Sequence, residues 1–266
     1  MPSNISTVPA LLATLRTVQA TSPRLTWYGP DGERVELSGK VLDNWVAKTA
    51  NYVVDELDAG PGSVIDIDMP AHWRSLCWVL AAWQAGTAVS YGPGTAMNHD
   101  VTVTTTPLTA APATEVPGTE VPAARGSRTL TVAVALGALE MRWAGDLPAG
   151  VLDYAAEVRA QGDVFVPFDQ PSGSDVAVVG SRTADSAAAL ESVAFGSLFS
   201  GYAHLMERSE RVLLMVEDGL ETAVRNALGI FSAGGSVVLV HPSVAVTDVL
   251  LSAERITEQR CTGGIR

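Results

Sequence analysis

The chain has 266 residues, enough to bury the core of one large domain or of two smaller lobes. Its formal net charge is −12 at pH 7 and its basic residues are scattered, which argues against nucleic acid or an anionic membrane surface as a partner. Cys77 and Cys261 lack the spacing of a metal site or a disulfide framework, so the sequence predicts reduced thiols.

The amino terminus lacks the basic start and the long apolar run of a secretory signal. No stretch of about 18 apolar residues occurs, so the sequence predicts no membrane-spanning helix. We therefore expect a soluble, cytoplasmic protein.

The first predicted elements alternate between helix and strand. Ser38 is placed to cap a helix whose core-facing positions recur at helical spacing: Leu42, Trp45, Val46, Thr49, Val53 and Leu57. The turn at 59–62 ends this helix, and a strand follows from Val64 to Met69. A helix from about His72 to Ala85 and a strand T-A-V-S-Y come next. This order implies a right-handed crossover and a parallel sheet.

The remaining chain shows one break and then further alternation. Residues 107–128 are rich in Pro, Thr and Ala and predict a flexible surface loop. Order resumes with a strand T-L-T-V-A-V-A-L and a helix over 149–160. Strands are then predicted at 176–180, 211–216 and 236–241, and helices at about 184–206, 219–232 and 246–259. The prediction is an α/β fold with mostly parallel sheets flanked by helices.

Two sets of polar residues, a pair of aspartates and four histidines, are candidates for metal or ligand binding. Asp66 and Asp68 form a D-x-D of the kind found in some metal sites, but we interpret it as an ordinary strand with polar substitutions and predict no metal site. The histidines carry no metal-ligand spacing: His72, His99, His204 and His241. His241 directly follows the apolar strand V-V-L-V, at a carboxyl end where ligands of α/β proteins bind, so it is the histidine we would test.

Other residue types favour structural roles. Ser181 and Ser197 lack the G-x-S-x-G turn of a hydrolase nucleophile. The helix tryptophans Trp73, Trp78 and Trp83 are predicted to be core and interface anchors, because no basic groove accompanies them.

Several segments resemble the opening of the adenylate-forming superfamily, which includes acyl-CoA synthetases, luciferases and nonribosomal adenylation domains. They are L-S-G-K-V-L-D-N-W-V-A-K-T-A-N-Y-V, D-A-G-P-G-S-V-I-D-I-D-M-P, W-V-L-A-A-W-Q-A-G-T-A-V and L-G-I-F-S-A-G-G-S-V-V-L-V. The final I-T-E-Q-R-C-T resembles a helix that follows in that superfamily. The resemblance spans nearly the whole chain but only the first half of a superfamily member. More narrowly, L-P-A-G-V-L-D-Y-A-A-E-V-R-A-Q-G-D-V-F-V-P is similar to a group of short uncharacterised actinobacterial proteins.

The resemblance also locates a phosphate loop, which reads y-T-S-G-T-T-G-x-P-K-G in the superfamily. Here Gly180, Ser181 and Thr183 keep a trace of it, and Arg182 is placed to meet a phosphate. Two glycines, the proline and the lysine are missing, and Asp185 repels an anion. Phe195 stands where the histidine of a following T-H-x-n-L element is expected. We therefore interpret the loop as degenerate.

The resemblance implies that adenine, magnesium and catalytic lysine contacts belong to segments after residue 266. Losing such groups costs many orders of magnitude in rate, so we expect no unaided ATP-driven acyl activation and no catalytic residue in this chain. We also expect no required cofactor, with ATP or AMP as the alternative. The resemblance to the superfamily also implies two parallel-sheet lobes, one over about 64–200 and one joining 1–63 to 207–266.

Three functions remain open, of which the first is our prediction and the others are alternatives. The first is a non-catalytic, pseudoenzyme-like protein that binds a protein partner or a small acyl or nucleotide ligand. The second is a reduced acyl-activating ligase completed in trans by another subunit or by self-association. The third is an unrelated α/β enzyme that uses strand-end residues such as Asp175, Arg182 and His241.

Overall fold

The computed structural model describes residues 5–92, 99–107, 129–180, 192–261 and 264–265. This part of the chain contains both α-helices and strands, with several strands following one another directly. In chain order they are α1 (Val8–Thr17), β1 (Pro23–Tyr28), β2 (Arg34–Ser38), α2 (Gly39–Asp55), β3 (Val64–Asp68), α3 (Trp73–Gln84), β4 (Ala88–Ser90), β5 (Val101–Thr104), β6 (Leu130–Ala133), β7 (Val151–Asp153), α4 (Tyr154–Glu157), β8 (Val176–Val178), β9 (Val193–Ala194), β10 (Arg211–Met215), α5 (Gly219–Ser232), β11 (Ser236–Val240), α6 (Asp248–Ala253), β12 (Glu258–Cys261) and β13 (Gly264–Ile265).

The strands form two sheets. The first sheet has the order β13-β12-β10-β11-β1-β2, and the second has the order β7-β6-β5-β3-β4-β8-β9. Neighbouring strands run parallel except for the pairs β1/β2, β8/β9 and β12/β13. The predicted α/β class with mostly parallel sheets is therefore confirmed. Because parallel strands share their carboxyl edge, the loops after β1, β10 and β11 lie together, as do those after β3, β5 and β6.

One hydrophobic core joins both sheets through the helices. Helix α3 contacts β3 and β4 of the second sheet and β1 of the first, and it also packs against α2 and α5. Its predicted core residues Trp73, Trp78 and Trp83 are buried, together with Leu25 of β1 and Ile65 of β3. Burying one such side chain contributes ~1.5–3 kcal/mol. The core therefore holds the loops of the two sheets in fixed relative positions.

The local signals for α2 and α5 give the observed elements. Ser38 Oγ accepts a hydrogen bond from the Val41 amide at 3.3 Å, and Leu42, Val46 and Val53 are buried along one face of α2. The helix predicted over 219–232 is α5, whose bounds are the same. Capping and helical spacing are short-range effects, so the sequence alone is sufficient to predict them.

Two predicted helices are wrong in part because strand pairing overrides local preference. In the helix predicted over 149–160, Val151–Asp153 forms β7, which pairs with β6, and only Tyr154–Glu157 is α-helical. In the helix predicted over 184–206, residues 192–206 contain β9 and short helical turns, and 184–191 lie outside the described residues.

The helix predicted over about 246–259 is too long. Helix α6 ends at Ala253, and Arg255 follows with φ 51°, a left-handed conformation that stops a helix. The segment resembling a helix, I-T-E-Q-R-C-T, instead contains β12, which pairs in parallel with β10. Sequence analysis did not identify α1, β1, β2 or β5. Most of the loop expected over 107–128 falls outside the described residues.

Among the helices of the described ranges, none has the length and apolar character that crossing a bilayer requires. The division of the chain into two lobes remains a prediction.

Candidate functional site

A cleft of about 990 Å³ opens where the carboxyl ends of the two sheets meet. The segments that follow β1, β3, β6, β10 and β11 all contribute to its wall. Much of this wall is apolar and comes from Trp27, Ala71, Leu136, Leu139 and Val216. Clefts at the carboxyl edge of parallel sheets are the usual ligand sites of α/β proteins, so this is the candidate site.

Three rings form one side of the cleft. Trp27 lies on β1, and its ring centroid is 4.5 Å from that of His72 and 6.1 Å from that of His241. Both contacts are edge to face, a favoured geometry for aromatic rings. His241 directly follows β11, the parallel neighbour of β1, whereas His72 lies between β3 and α3. The rings therefore connect the two sheets.

His241, the histidine selected from the sequence, is half-buried and lines this cleft. Its backbone N–H donates to the Tyr28 carbonyl at 2.8 Å, which continues the ladder between β11 and β1. Its Nδ1 accepts from the Ser243 amide at 3.2 Å, so the neutral ring carries its proton on Nε2. The structure places His241 where a ligand would reach it, and its role in binding stays a prediction.

His72 is buried and has a structural role. Its Nδ1 accepts from the Arg74 amide at 3.1 Å and caps the start of α3. Burial, followed by the positive charges of Arg74 and His241, lowers the pKa of His72 to about 3. His72 is therefore a neutral ring at physiological pH.

Glu33 bridges the two sheets across the cleft. Its Oε2 accepts from Trp27 Nε1 at 2.7 Å, and its Oε1 accepts from the Ala138 amide at 2.7 Å. Gly29 leaves room for this carboxylate, since a Cβ there would lie 2.5 Å from Glu33 Oε2. The bridge fixes the turn between β1 and β2 against the loop that follows β6.

Three carboxylates line the cleft: Asp31, Glu33 and Glu140. The hydrogen bonds to Glu33 and Glu140 come from neutral N–H groups. The buried guanidinium of Arg74, which donates to the Gly137 carbonyl at 3.2 Å, partly offsets the charge of Glu140. Arg34, the single arginine that lines the cleft in the described part of the chain, is engaged elsewhere, because it pairs with Glu254 at 2.8 Å and with Glu36 at 2.6 Å.

The sequence contains only two lysines, Lys40 and Lys48, and both lie on α2 outside the cleft. The described cleft thus offers no free cation to a phosphate group. A ligand with an exposed negative charge would meet repulsion there.

The predicted phosphate loop is only partly described. Gly180 follows β8, and its amide donates to Ser192 Oγ at 3.1 Å across the antiparallel pair β8/β9. Ser181, Arg182 and Thr183 lie outside the described residues. Gly180 is not among the residues that line the cleft with His241, so the structure does not show these candidates converging on one site.

Other candidates are occupied by local contacts. Burial raises the pKa of Asp66, which accepts from Ser90 Oγ at 2.6 Å, and Asp68 accepts from Thr104 Oγ1 at 3.1 Å. His204 contacts Asn226 Oδ1 at 3.3 Å. Asp175 accepts from the Ser172 amide at 2.8 Å. In the described ranges, no three His, Cys, Asp or Glu side chains are grouped so as to hold a metal.

Trp27, Glu33 and the loop after β6 were not identified from the sequence. The turn G-P-D-G at 29–32 carried a usable signal, because Asp-Gly is a typical hairpin turn. Asp31 and Gly32 indeed adopt positive φ angles of 55° and 78°. The strands on either side are short, so the hairpin is less evident than the turn.

The fold is that of the amino-terminal domains of acyl-CoA synthetases and other adenylate-forming enzymes. An acyl-CoA synthetase of Brucella canis superposes with a TM-score of 0.68 at 17% identity, covering 97% of this chain and 47% of that one. The N-terminal domain of FACL13 from Mycobacterium tuberculosis superposes with a TM-score of 0.61 at 14% identity, covering 95% of this chain and 62% of that one. The anthranilate CoA ligase AuaEII, solved with anthranoyl-AMP, superposes with a TM-score of 0.61 at 14% identity, covering 88% of this chain and 44% of that one.

The chain thus spans about half the length of that synthetase. No family model matches the sequence. A "TIGR03089 family protein" of Mycobacterium tuberculosis is 32% identical over 253 residues, which cover 93% of this chain and 95% of that protein. The chain therefore belongs to the TIGR03089 family, as the resemblance to short actinobacterial proteins predicted.

Proposed function

We propose that this protein is a non-catalytic relative of acyl-CoA synthetases that holds a small acyl ligand in the cleft between its two sheets. The supporting observation is the cleft itself, a space of about 990 Å³ with apolar walls and His241 on its surface. A space of this size suits a small organic molecule. We also propose a cytoplasmic location, in keeping with Cys77, which is buried and forms no disulfide among the described residues.

The charges of the site favour a binding role without ATP chemistry. Acyl adenylation needs cations or a metal that stabilise a reacting phosphate. Asp31, Glu33 and Glu140 instead give the cleft a negative lining, and the lysine of the superfamily's phosphate loop has no counterpart in the stretch after Gly180. In this proposal neither a nucleotide nor a metal is required.

The ligand would be recognised by its uncharged acyl part. Leu136, Leu139 and Val216 provide apolar contact, and the Nε2–H of His241 is suited to donate to an acyl carbonyl. The acidic lining disfavours a free carboxylate over an amide or ester of the same chain length. The neutral form of an acyl compound is therefore the expected ligand.

A matched pair of compounds tests this proposal. Hexanamide and hexanoate differ in charge but not in chain length, and binding of each is measured by calorimetry and by the shift in melting temperature. We expect hexanamide to bind more tightly, MgATP to give no shift, and the variant His241→Ala to lose affinity for the amide. His204→Ala, outside the cleft, is the control.

The proposal is wrong if the pure chain binds MgATP and catalyses carboxylate-dependent pyrophosphate exchange. Tighter binding of hexanoate than hexanamide would also contradict it.

A second function is a ligase completed in trans, and the antiparallel pair β8/β9 favours it. The Gly180 amide donates to Ser192 Oγ at 3.1 Å across this pair, on either side of the segment that corresponds to the superfamily's phosphate loop. A stable homo-oligomer or a co-purifying subunit that restores acyl-AMP formation would support this function. Light scattering and exchange assays on the reconstituted mixture would distinguish it from the first.

A further inference from the structure

An exposed apolar ridge lies outside the cleft, on the segment 161–170. Val164, Val166 and Phe168 are 72%, 79% and 99% exposed, while Phe165 between them packs against the core. Alternate residues of this segment therefore point into solvent and into the protein. Large apolar side chains that recur at this spacing on a surface mark a place where another molecule binds.

The ridge rests on a rigid support. Asn51 Nδ2 of α2 donates to the carbonyls of Gly162 at 2.9 Å and Val164 at 3.1 Å, and Lys48 Nζ donates to the Gln161 carbonyl. Gln161 Nε2 in turn donates to Glu56 Oε1 at 3.1 Å. The segment thus lies along the carboxyl-terminal half of α2, where hydrogen bonds hold residues 161–164 and Phe165 packs against the core.

The chain segments next to the ridge are mainly acidic. Segments 49–62 and 161–175 contain no lysine or arginine and carry six carboxylates: Asp55, Glu56, Asp58, Asp163, Asp169 and Asp175. Lys48 and Arg159 are the nearest basic residues in sequence. Lys48 is paired with Asp163 at 2.6 Å, and the Arg159 guanidinium donates to the Glu140 carbonyl at 3.4 Å. An apolar surface ringed by one sign of charge is complementary to an apolar segment ringed by the other.

We propose that this ridge docks a protein segment in which apolar residues are flanked by lysine or arginine. Burying Val166 and Phe168 would provide the affinity, and the surrounding carboxylates would select the charge of the partner. The same charges disfavour other occupants. A second copy would bring six like charges against six, and an anionic membrane would be repelled.

Selection from a random peptide library, displayed on phage, tests the inference with the purified chain as bait. The peptides retained by the wild-type chain are compared with those retained by the double variant Val166→Ser, Phe168→Ser. Both positions are exposed, so the variant is expected to fold normally, which its melting temperature verifies. Val249→Ser is the matched control, because Val249 on α6 is also apolar and 78% exposed but lies outside both the ridge and the cleft.

We expect peptides that depend on the ridge to combine apolar residues with lysine or arginine. Their affinity should fall at least about tenfold in the double variant, should not change in Val249→Ser, and should weaken as salt is added. Ridge-dependent peptides that are neutral or acidic would overturn the proposal. So would a peptide set that is the same for the double variant, or a dimer in light scattering that the double variant abolishes.

Discussion

The ring of Trp27 lies 4.5 Å from the ring of His72 and meets it edge to face. Trp27 lies on β1 of the first sheet and His72 follows β3 of the second, so this contact joins the two sheets at the base of the cleft. Both side chains are buried and line the cleft. A ligand bound there would therefore contact side chains from both sheets.

The Glu33 bridge can be tested by substitution. Glu33→Ala leaves the buried Trp27 Nε1 and the Ala138 amide without their acceptor, and we expect it to lower the free energy of unfolding by about 2 kcal/mol or more. Urea denaturation measures this loss. Glu36→Ala removes an exposed ion pair with Arg34 and should cost under about 1 kcal/mol. Equal effects of the two variants would show that Glu33 is not a bridge.

The buried imidazole of His72 predicts a loss of stability in mild acid. The pKa of His72 is about 3 in the folded chain and about 6.5 when unfolded, so between these pH values only the unfolded chain takes up the proton. Stability is fully present above pH 6.5, and by pH 5 the loss should reach ~2 kcal/mol.

His72→Asn isolates this effect, because asparagine also caps a helix but does not titrate. The difference in unfolding free energy between wild type and variant should change steadily from pH 7 to pH 5. A constant difference would mean that His72 titrates normally in the folded chain.

Glu254 predicts a second loss at lower pH. Burial alone would raise its pKa, but hydrogen bonds from Tyr28, Arg211 and Arg34 lower the pKa of Glu254 to about 2. Its stabilising contribution is therefore present above about pH 4.5 and is lost as pH falls towards 2. Glu254→Gln should reduce stability by about 3 kcal/mol at pH 7, since it leaves Arg211 without its charge partner. Thermal denaturation from pH 7 to 3 should show the two proteins converging, and parallel curves would contradict the assignment.

Gly229 tests the packing of α5. A Cβ at this position would lie 1.8 Å from the His204 carbonyl oxygen, which is backbone and cannot swing away. We expect Gly229→Ala to destabilise the fold by about 1–3 kcal/mol, although alanine is the better helix former. Gly60→Ala is the control, since nothing lies within 4 Å of its Cβ position. A thermal-shift comparison in which Gly229→Ala is as stable as Gly60→Ala would refute the close contact.

Much of the fold follows from short-range signals in the sequence. The Ser38 cap, the helical spacing of α2 and the apolar run of β11 predict their elements, because each depends on neighbouring residues. The location of His241 was also predictable, since it requires only that a buried parallel strand ends at Val240.

The rest depends on contacts that are distant in sequence. β7 and β12 look helical locally and become strands only because β6 and β10 are there to pair with them. The candidate site could not be predicted from local patterns, because Trp27, Glu33 and His72 come from different segments. Their meeting depends on how two sheets pack through α3, which no local pattern encodes.

The pairing of β1 with β11 has a consequence for synthesis of the chain. β1 leaves the ribosome well before its parallel partner, because the strands and helices from β2 to α5 lie between them in the sequence. Until β11 is made, Leu25 and Trp27 have no completed sheet to cover them, and the edge of the β1/β2 hairpin is open to wrong pairing. Newly made chains should therefore depend on chaperones until β11 has left the ribosome.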